Sequence, residues 1–276
     1  MKKLLTLISV SLIILLIGCS NESEVKTTES GLKYLDEKPG EGREARIGDL
    51  VAINFQGWVV HDSTDLFGDW NADSTKLAYL IGDSYKQGRE IKFVLGEDSF
   101  IEGSDEGIVG MKVGGARTII IPSKLAYGGQ GRGPIPPNTD IKIGVELMDV
   151  KDKVVVKMWD VDTSNTVTTE SGLKYITVEE GDGKTASTGN VVTVNYSGFL
   201  LGGTKFDSSV EIDEPFSFVL GSRQVIPGWD EGISTMKKGG RTRLIIPPSL
   251  AYEEMSVGKI PANSTLIFDV ELLDIK

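Results

Sequence analysis

An eight-residue segment occurs twice in this chain without a single change. The sequence Thr-Thr-Glu-Ser-Gly-Leu-Lys-Tyr occupies residues 27–34 and again residues 168–175. Later motifs repeat as well, and the distance between the copies falls from 141 residues to 125, so the first copy carries 16 extra residues between Gly57 and Ile91. Two repeats of this size indicate a tandem pair of domains and exclude a solenoid of many short units.

The repeats divide the chain into two domains with a short connection between them. We predict a first domain over residues 27–152, a linker over 153–166 and a second domain over 167–276. The three valines at 154–156 and Trp159 make the first half of the linker more apolar than a free connection requires. We therefore expect this half to pack on one of the domains, and the pattern leaves open which one.

Hydrophobic and polar residues alternate through most of each repeat. Residues 266–272 follow this period of two, which predicts a strand with one buried face. Trp229, Ile233 and Met236 follow helical spacing instead, and two glycines end that segment. The predicted fold class is therefore α+β, with an antiparallel sheet in each domain and one short helix on its apolar face.

The first residues have the features of an export signal and belong to neither domain. Lys2 and Lys3 precede an apolar stretch over residues 4–17, and Cys19, the only cysteine of the chain, follows it. This stretch is too short, and wrongly flanked, for a membrane-spanning helix. With one cysteine, the folded domains depend on their apolar cores and not on disulfides.

The residues around Cys19 resemble the lipobox of bacterial lipoproteins. The resemblance implies removal of residues 1–18 as a signal peptide, acylation of Cys19 and a tether over residues 19–26. It implies a protein anchored by lipid to a bacterial membrane and facing the periplasm or the cell exterior. Ser20 after the cysteine favours the outer membrane where the cell has one.

Composition limits the partners and the chemistry. Forty acidic residues stand against 29 basic ones, giving a net charge of −11, whereas nucleic acid requires a basic face. No nucleic-acid partner is expected, and attachment to the membrane falls to the lipid. His61 is the only histidine, so a Ser-His-Asp triad or a histidine-rich metal site is hard to build. We predict no metal site and no cofactor.

Five motifs of the second repeat stand in the order and spacing of one known family. They are Asn-Tyr-Ser-Gly at 195–198, Lys-Phe-Asp-Ser-Ser at 205–209, Phe-Ser-Phe-Val-Leu-Gly at 216–221, Val-Ile-Pro-Gly-Trp at 225–229 and Phe-Asp-Val-Glu-Leu at 268–272. Together they resemble the FKBP family of peptidyl-prolyl cis/trans isomerases over the whole second repeat. The resemblance implies two FKBP-like domains, each a twisted antiparallel sheet wrapped around a short helix with an aromatic pocket between them.

The resemblance also implies an active site in the second domain. The catalytic residues that it implies are Phe206, Asp207, Trp229 and Tyr252. The substrate-binding residues that it implies are Tyr196, Phe216, Val225, Ile226, Ile260 and Phe268. Trp229 is expected to form the pocket floor, and the Ile226 backbone N–H is expected to bind a substrate carbonyl. Taken singly, an aromatic residue on an alternating strand is more often plain core, so the prediction depends on their joint occurrence.

The function implied is isomerisation of X-Pro bonds in exported proteins, aiding their folding in the cell envelope. The implied partners are proline-containing unfolded or folding polypeptides, with macrolide immunosuppressants as further ligands. A competing hypothesis is a non-catalytic chaperone or protein-binding lipoprotein. It is supported by the altered first repeat and by the loop after Tyr252, where Glu253 and Glu254 stand in place of a glycine-rich run.

The first repeat departs from the family at the pocket positions. Phe55, Ile91, Ser104 and Ile143 stand where the second repeat has Tyr196, Phe216, Trp229 and Phe268. Asp83 can match Asp207 only across a gap, and in the second repeat Ile212 stands where the family often has a basic partner for that aspartate. We expect the first domain to keep the fold and to have little isomerase activity.

Overall fold

The computed structural model describes residues 24–60, 67, 77–97, 101 and 103–276 of the 276-residue chain. The predicted signal peptide and Cys19 lie outside the described residues. In the described part, no helix is long and apolar enough to cross a lipid bilayer.

The described residues of the first domain form one antiparallel sheet with two short helices. The strands are β1 (Lys26–Thr27), β2 (Lys33–Lys38), β3 (Asp49–Val60), β4 (Leu77–Asp83), β5 (Ile91–Val94), β6 (Ala116–Ile121) and β7 (Ile141–Asp152). The helices are α1 (Ser84–Gln87) and α2 (Ser104–Ile108), and Ser123–Leu125 is a 3-10 turn. The strand order is β1-β2-β6-β7-β3-β4, and β5 also pairs with β3.

The second domain repeats this topology. Its strands are β8 (Val167–Thr168), β9 (Lys174–Glu179), β10 (Val191–Leu200), β11 (Lys205–Ser208), β12 (Phe216–Val219), β13 (Arg241–Ile246) and β14 (Leu266–Ile275). Its helix is α3 (Pro227–Ile233), with 3-10 turns at Thr163–Asn165 and Pro248–Leu250. The order is β8-β9-β13-β14-β10-β11, with β12 on β10. The predicted fold class, two α+β domains of antiparallel sheet and short helix, is confirmed.

The repeated eight-residue segment connects the sheet to the helix in each domain. In the second copy the Ser171 hydroxyl donates to both carboxylate oxygens of Glu231 on α3, at 2.9 and 2.7 Å, and Leu173 is fully buried. In the first copy Ser30 donates to Glu106 on α2 at 2.8 Å. In both domains the segment forms a turn and a hydrogen bond to the helix. This shared structural role explains why the same residues occur in both copies.

Helix α3 packs against its sheet with a glycine, Gly232, facing β13. The helix begins at Pro227, whose missing N–H costs nothing at a first helical position. Trp229 and Ile233 are four residues apart, so both point at the sheet, and both are buried. A Cβ on Gly232 would lie 2.6 Å from the Leu244 side chain. A larger residue there would push the helix away from the sheet.

The linker packs on the outer face of the second domain, away from α3. The backbone N–H of Trp159 donates to Asp269 Oδ2 at 2.7 Å, and its carbonyl accepts from Arg243 Nη2 at 2.7 Å. The Arg241 guanidinium lies 4.2 Å from the centre of the Trp159 ring. Val154 and Val155 stay 54% and 73% exposed, so the side chains of these two valines contribute little to the docking.

Removing the carboxylate beneath the linker is expected to destabilise the second domain. Asp269 is 2% exposed and binds Arg243 through two hydrogen bonds of 2.6 and 2.9 Å. Asp269→Ala leaves that guanidinium buried without a counter-charge, which costs about 3–5 kcal/mol of unfolding free energy. Scanning calorimetry of the full chain checks this. Asp274→Ala breaks the exposed pair with Lys238 and a local hydrogen bond from the Ile275 backbone, and it should cost about 1 kcal/mol or less; equal losses would contradict the assignment.

Candidate active site

A pocket of about 210 Å³ opens between α3 and the sheet of the second domain. Nine of the ten residues predicted for the site line it, together with one that was not predicted. The lining residues are Tyr196, Phe206, Asp207, Phe216, Gln224, Val225, Ile226, Trp229, Tyr252 and Phe268. The tenth predicted residue, Ile260, is buried in the core of the same domain and does not line the pocket.

The indole of Trp229 forms the floor of this pocket. The side chain is 5% exposed, and three aromatic rings stand on edge around it. The ring centres lie 5.0 Å away for Tyr196, 5.2 Å for Phe268 and 6.1 Å for Phe216. These are edge-to-face arrangements, with interplanar angles of 81°, 87° and 71°. Such pairs are favourable beyond their buried area because the positive ring edge meets the negative ring face.

One wall of the pocket closes because β10 carries a glycine at that point. Gly198 pairs with Phe268 across the β10–β14 ladder. A Cβ there would lie 2.6 Å from the Phe206 ring and 2.8 Å from the Phe268 ring. Without it, the two rings meet at a centre distance of 5.5 Å and an angle of 85°. The glycine of the Asn-Tyr-Ser-Gly motif therefore shapes the site although no side chain of its own reaches it.

Asp207 at the pocket mouth is held by Tyr196. The Tyr196 hydroxyl donates to Asp207 Oδ2 at 2.5 Å, and the carboxylate is exposed on its other side. Burial, followed by the nearby Asp207 charge and this hydrogen bond, raises the pKa of Tyr196 well above its ordinary range. Burial and the same charge also raise the pKa of Tyr252. Both phenols are thus neutral hydrogen-bond donors at physiological pH. Ile212 offers Asp207 no cation, and the Tyr196 hydroxyl is the hydrogen-bond partner that the structure gives this carboxylate.

The chain enters α3 in an extended conformation at Ile226, which lines the pocket. Ile226 has φ −61° and ψ 148°, and its carbonyl accepts the Trp229 N–H at 2.9 Å. Gln224, which sequence reasoning missed, lines the pocket and accepts the Val219 N–H at 2.9 Å. Its position next to the Val-Ile-Pro-Gly-Trp motif was the available signal. Among the described residues, no group of three or more His, Cys, Asp or Glu side chains is arranged to hold a metal ion.

The strand register places Gly82, and not Asp83, at the position of Asp207. In the second domain Gly198 pairs with Asp207, and in the first domain Gly57 pairs with Gly82. Asp83 lies one residue further on, where its side chain caps α1 by accepting a backbone N–H of the first turn. The first domain therefore has a glycine where the second domain has Asp207. All 16 extra residues lie between Gly57 and Gly82.

The other predicted replacements in the first domain hold. Ile91 and Ile143 pair with Ile53 and Gly57 of β3. Phe216 and Phe268 pair with the equivalent residues of β10, Val194 and Gly198. Ser104 is fully buried at the start of α2, where its hydroxyl donates to the Ile101 carbonyl at 2.6 Å. A serine satisfied by its own backbone offers no aromatic floor. The described residues of the first domain keep the fold and place no indole at the position of Trp229.

A larger concavity of about 460 Å³ lies on the outer face of the first sheet. Trp58 and Tyr85 share it with charged residues, including Glu146 and Arg117. Burial and the hydrogen bond to Glu146 raise the pKa of Tyr85. Size alone favours this cleft as a ligand site. Charged and polar residues make up about half of its lining, whereas aromatic and aliphatic side chains dominate the pocket at Trp229, so we take the smaller pocket as the candidate site.

Comparison with known proteins agrees with the geometry. Residues 41–148 and 182–273 match the model of the family described as FKBP-type peptidyl-prolyl cis-trans isomerase. A protein named FKBP-type peptidyl-prolyl cis-trans isomerase FkpA from Escherichia coli strain K12 is 51% identical over 109 residues, 40% of this chain and 40% of the relative. The protein of the same name from Buchnera aphidicola subsp. Baizongia pistaciae is 33% identical over 228 residues, 79% of this chain and 85% of the relative.

Solved structures include the crystal structure of FkpA from Escherichia coli, with 50% identity, a TM-score of 0.39 and coverage of 41% of this chain and 52% of that chain. Crystal structure of AtFKBP13 matches with 35% identity and a TM-score of 0.40, over 41% of this chain and 99% of that chain. The chain spans 40% of the length of its Escherichia coli relative.

Tyr196→Phe is expected to flatten the loss of stability at alkaline pH. The pKa of Tyr196 is raised above its ordinary value near 10, so above that pH the folded state keeps a proton that the unfolded chain has released. The stabilisation is fully present below pH 10 and is lost as the pH rises toward the folded-state value. Thermal unfolding of wild type and Tyr196→Phe between about pH 8 and 11 checks the slope. Parallel slopes would contradict the environment described for this phenol.

Proposed function

Because the chain belongs to the family of FKBP-type peptidyl-prolyl cis-trans isomerases, we propose that its second domain isomerises X-Pro peptide bonds. The observation that carries the proposal is the pocket at Trp229, in which aromatic rings surround a space of about 210 Å³. That space is below the ~300–1,000 Å³ of pockets for drug-sized ligands. It suits one small ring, such as the pyrrolidine of proline, with the rest of the polypeptide outside.

The chemistry is rotation about an amide bond. Partial double-bond character of the C–N bond sets a barrier of ~18–20 kcal/mol, so uncatalysed X-Pro exchange takes tens to hundreds of seconds. In the twisted transition state the resonance is lost and the carbonyl oxygen carries less negative charge. An apolar aromatic box disfavours the polar planar amide more than the twisted one, which is selective binding of the transition state. A 10⁴-fold acceleration requires about 5.4 kcal/mol.

Each group in the pocket has a role in this scheme that needs no covalent intermediate. The Trp229 face receives the proline ring, and the Ile226 N–H and Tyr252 hydroxyl donate to carbonyl groups of the substrate backbone. Asp207, fixed by Tyr196, places negative charge beside the mouth and disfavours the charge separation of the planar amide. The raised pKa values of both phenols keep these donors protonated throughout the neutral range.

The first domain is proposed to be a non-catalytic partner of the second. Its equivalents of Trp229 and Asp207 are Ser104 and Gly82, so neither the floor nor the carboxylate is available. Phe55, in place of Tyr196, has lost the hydroxyl that held the carboxylate. The losses are coupled, because a phenol without its acceptor would be a buried, unsatisfied donor.

The substrates are proposed to be proline-containing unfolded or folding polypeptides of the cell envelope. The export features of residues 2–19 support this location. Macrolide immunosuppressants are a second proposed ligand class, of which this pocket would hold only one end. Glu253 and Glu254, exposed after Tyr252, favour basic residues next to the proline by charge complementarity.

Trp229→Leu is expected to lower kcat/KM for X-Pro exchange by about tenfold or more, equivalent to ~1.4 kcal/mol or more of lost transition-state binding. The assay follows cis/trans exchange of a short proline peptide by exchange NMR, with the full chain. Trp58→Leu, on the outer face of the first domain, is the matched control and should leave the rate unchanged.

If the wild-type chain does not speed X-Pro exchange but suppresses aggregation of an unfolded protein, the isomerase proposal is wrong. The non-catalytic chaperone then becomes the better description. Equal rates for Trp229→Leu and Trp58→Leu would place catalysis elsewhere than in this pocket.

Lipid attachment at Cys19 is proposed on the basis of the lipobox resemblance. Cys19→Ser removes the only thiol of the chain, so it should abolish incorporation of a labelled fatty acid and release the protein from the membrane fraction of a bacterial host. Ser20→Ala is the neighbouring control and should retain both. Labelling that persists in Cys19→Ser would contradict the proposal.

A further inference from the structure

The loop over residues 209–215 connects β11 to β12 and joins two walls of the pocket. Asp207 lies two residues before the loop, and Phe216 follows it directly. At its start, the Ser209 hydroxyl accepts the backbone N–H of Tyr196 at 2.8 Å. A shift of this loop therefore moves the carboxylate and the exposed Phe216 wall relative to the pocket floor.

Basic side chains of the first domain contact this loop. Arg89 Nη1 lies 3.0 Å from Glu214 Oε1, and Lys92 Nζ donates to the Asp213 carbonyl at 2.9 Å. Lys151 Nζ lies 3.6 Å from Asp213 Oδ2. Three cations from separate parts of the first domain thus meet consecutive acidic residues, which is the charge complementarity of a specific interface.

The most enclosed contact is made by Lys153, at the point where the linker leaves β7. Its ammonium lies 2.5 Å from Glu97 Oε2 of the first domain and 3.6 Å from Glu211 Oε2 of the loop. Glu211 is 5% exposed, is also bound by Lys205, and accepts the Val156 N–H at 3.1 Å. Burial lowers the pKa of Lys153, but the two carboxylates outweigh it and the pKa lies above its ordinary value, so the cation is charged at neutral pH.

We propose that Lys153, with Arg89, Lys92 and Lys151, acts as a set of positioning residues that holds the 209–215 loop and thereby fixes the width of the second domain's pocket. The inference rests on the proposed isomerase function. The first domain, which has lost its own aromatic box, contributes to catalysis in the second domain through this loop.

The burial of the contacts decides which of them matters most. Arg89 and Glu214 are 63% and 39% exposed, so their pair is weak and screened by salt. Lys153 and Glu211 are 15% and 7% exposed, so water and salt screen their interaction less than the Arg89–Glu214 pair, and Lys205 remains as a second counter-charge of Glu211. Among Arg89, Lys92, Lys151 and Lys153, loss of Lys153 should therefore release the loop most.

The test compares two neighbouring linker lysines in the full chain. Lys153→Met is expected to lower kcat/KM for a proline peptide by roughly three- to tenfold, mainly through a higher KM. The reason is that the Phe216 wall contacts the planar ground state and the twisted transition state of the substrate equally. Lys157→Met removes the same charge from an exposed lysine that has no ion pair among the described contacts, and it should behave as wild type. Lys153→Arg should restore most of the loss.

Hydrogen–deuterium exchange supplies a readout that does not depend on activity. Amides of residues 209–215 should exchange faster in Lys153→Met than in Lys157→Met, while β13 and β14 should be unchanged. If both variants give the same hydrogen–deuterium exchange in residues 209–215 and the same kcat/KM, the inference is wrong. If the wild-type chain shows no catalysis, the proposed function fails instead, and the exchange data still decide whether the loop is held.

A charge exchange covers the case in which Lys153→Met does not fold. Arg89→Glu and Glu214→Arg, taken singly, should each lower kcat/KM about two- to fivefold, since each places like charges together. The double variant should recover toward wild type. If the reductions of kcat/KM in the two single variants multiply in the double variant, the inference is wrong.

Discussion

The packing of one indole determines both the stability and the shape of the second domain. Trp229 lies on α3 between the helix and the sheet, so it belongs to the hydrophobic core, while its ring is also the floor of the pocket. Gly232 lets the helix approach β13, and Gly198 lets the flanking rings close above the indole. The pocket is therefore the part of the core that the sheet leaves uncovered, and its geometry is as rigid as the packing around it.

The first domain lacks this indole, and the residues that would pack against it differ as well. Once Ser104 replaces the indole, aromatic walls have nothing to pack against, and Ile91 and Ile143 fill the space as ordinary core residues. The phenol and its carboxylate are lost together, as Phe55 and Gly82. The sheet, its topology and the serine–glutamate tie to the helix survive, because they depend on backbone pairing and on the repeated segment and not on the pocket.

Sequence reasoning predicted what local patterns control. Alternation gave the strands, helical spacing of Trp229 and Ile233 gave the helix, and motif order gave nine of the ten pocket residues. It could match Asp83 with Asp207 only across a gap, because β-bulges and a long insertion hide the register that places Gly82 opposite Gly57. It could not choose a domain for the linker, because that choice depends on Arg243 and Asp269 meeting across two strands. It also missed Gln224, whose position follows from the turn before α3.

The shortness of the free linker changes how the weak contacts between the domains should be weighed. Only residues 153–155 separate the end of β7 from Val156, whose N–H is fixed by Glu211. Three residues reach at most about 10 Å, so each domain meets the other at an effective concentration on the order of millimolar or above. Ion pairs too weak to join two free proteins can then stay formed most of the time. Inserting residues into this stretch would lower the effective concentration, and the ion pairs would be formed for less of the time although no contact residue has changed. The length of the linker is therefore itself a means of adjusting the pocket.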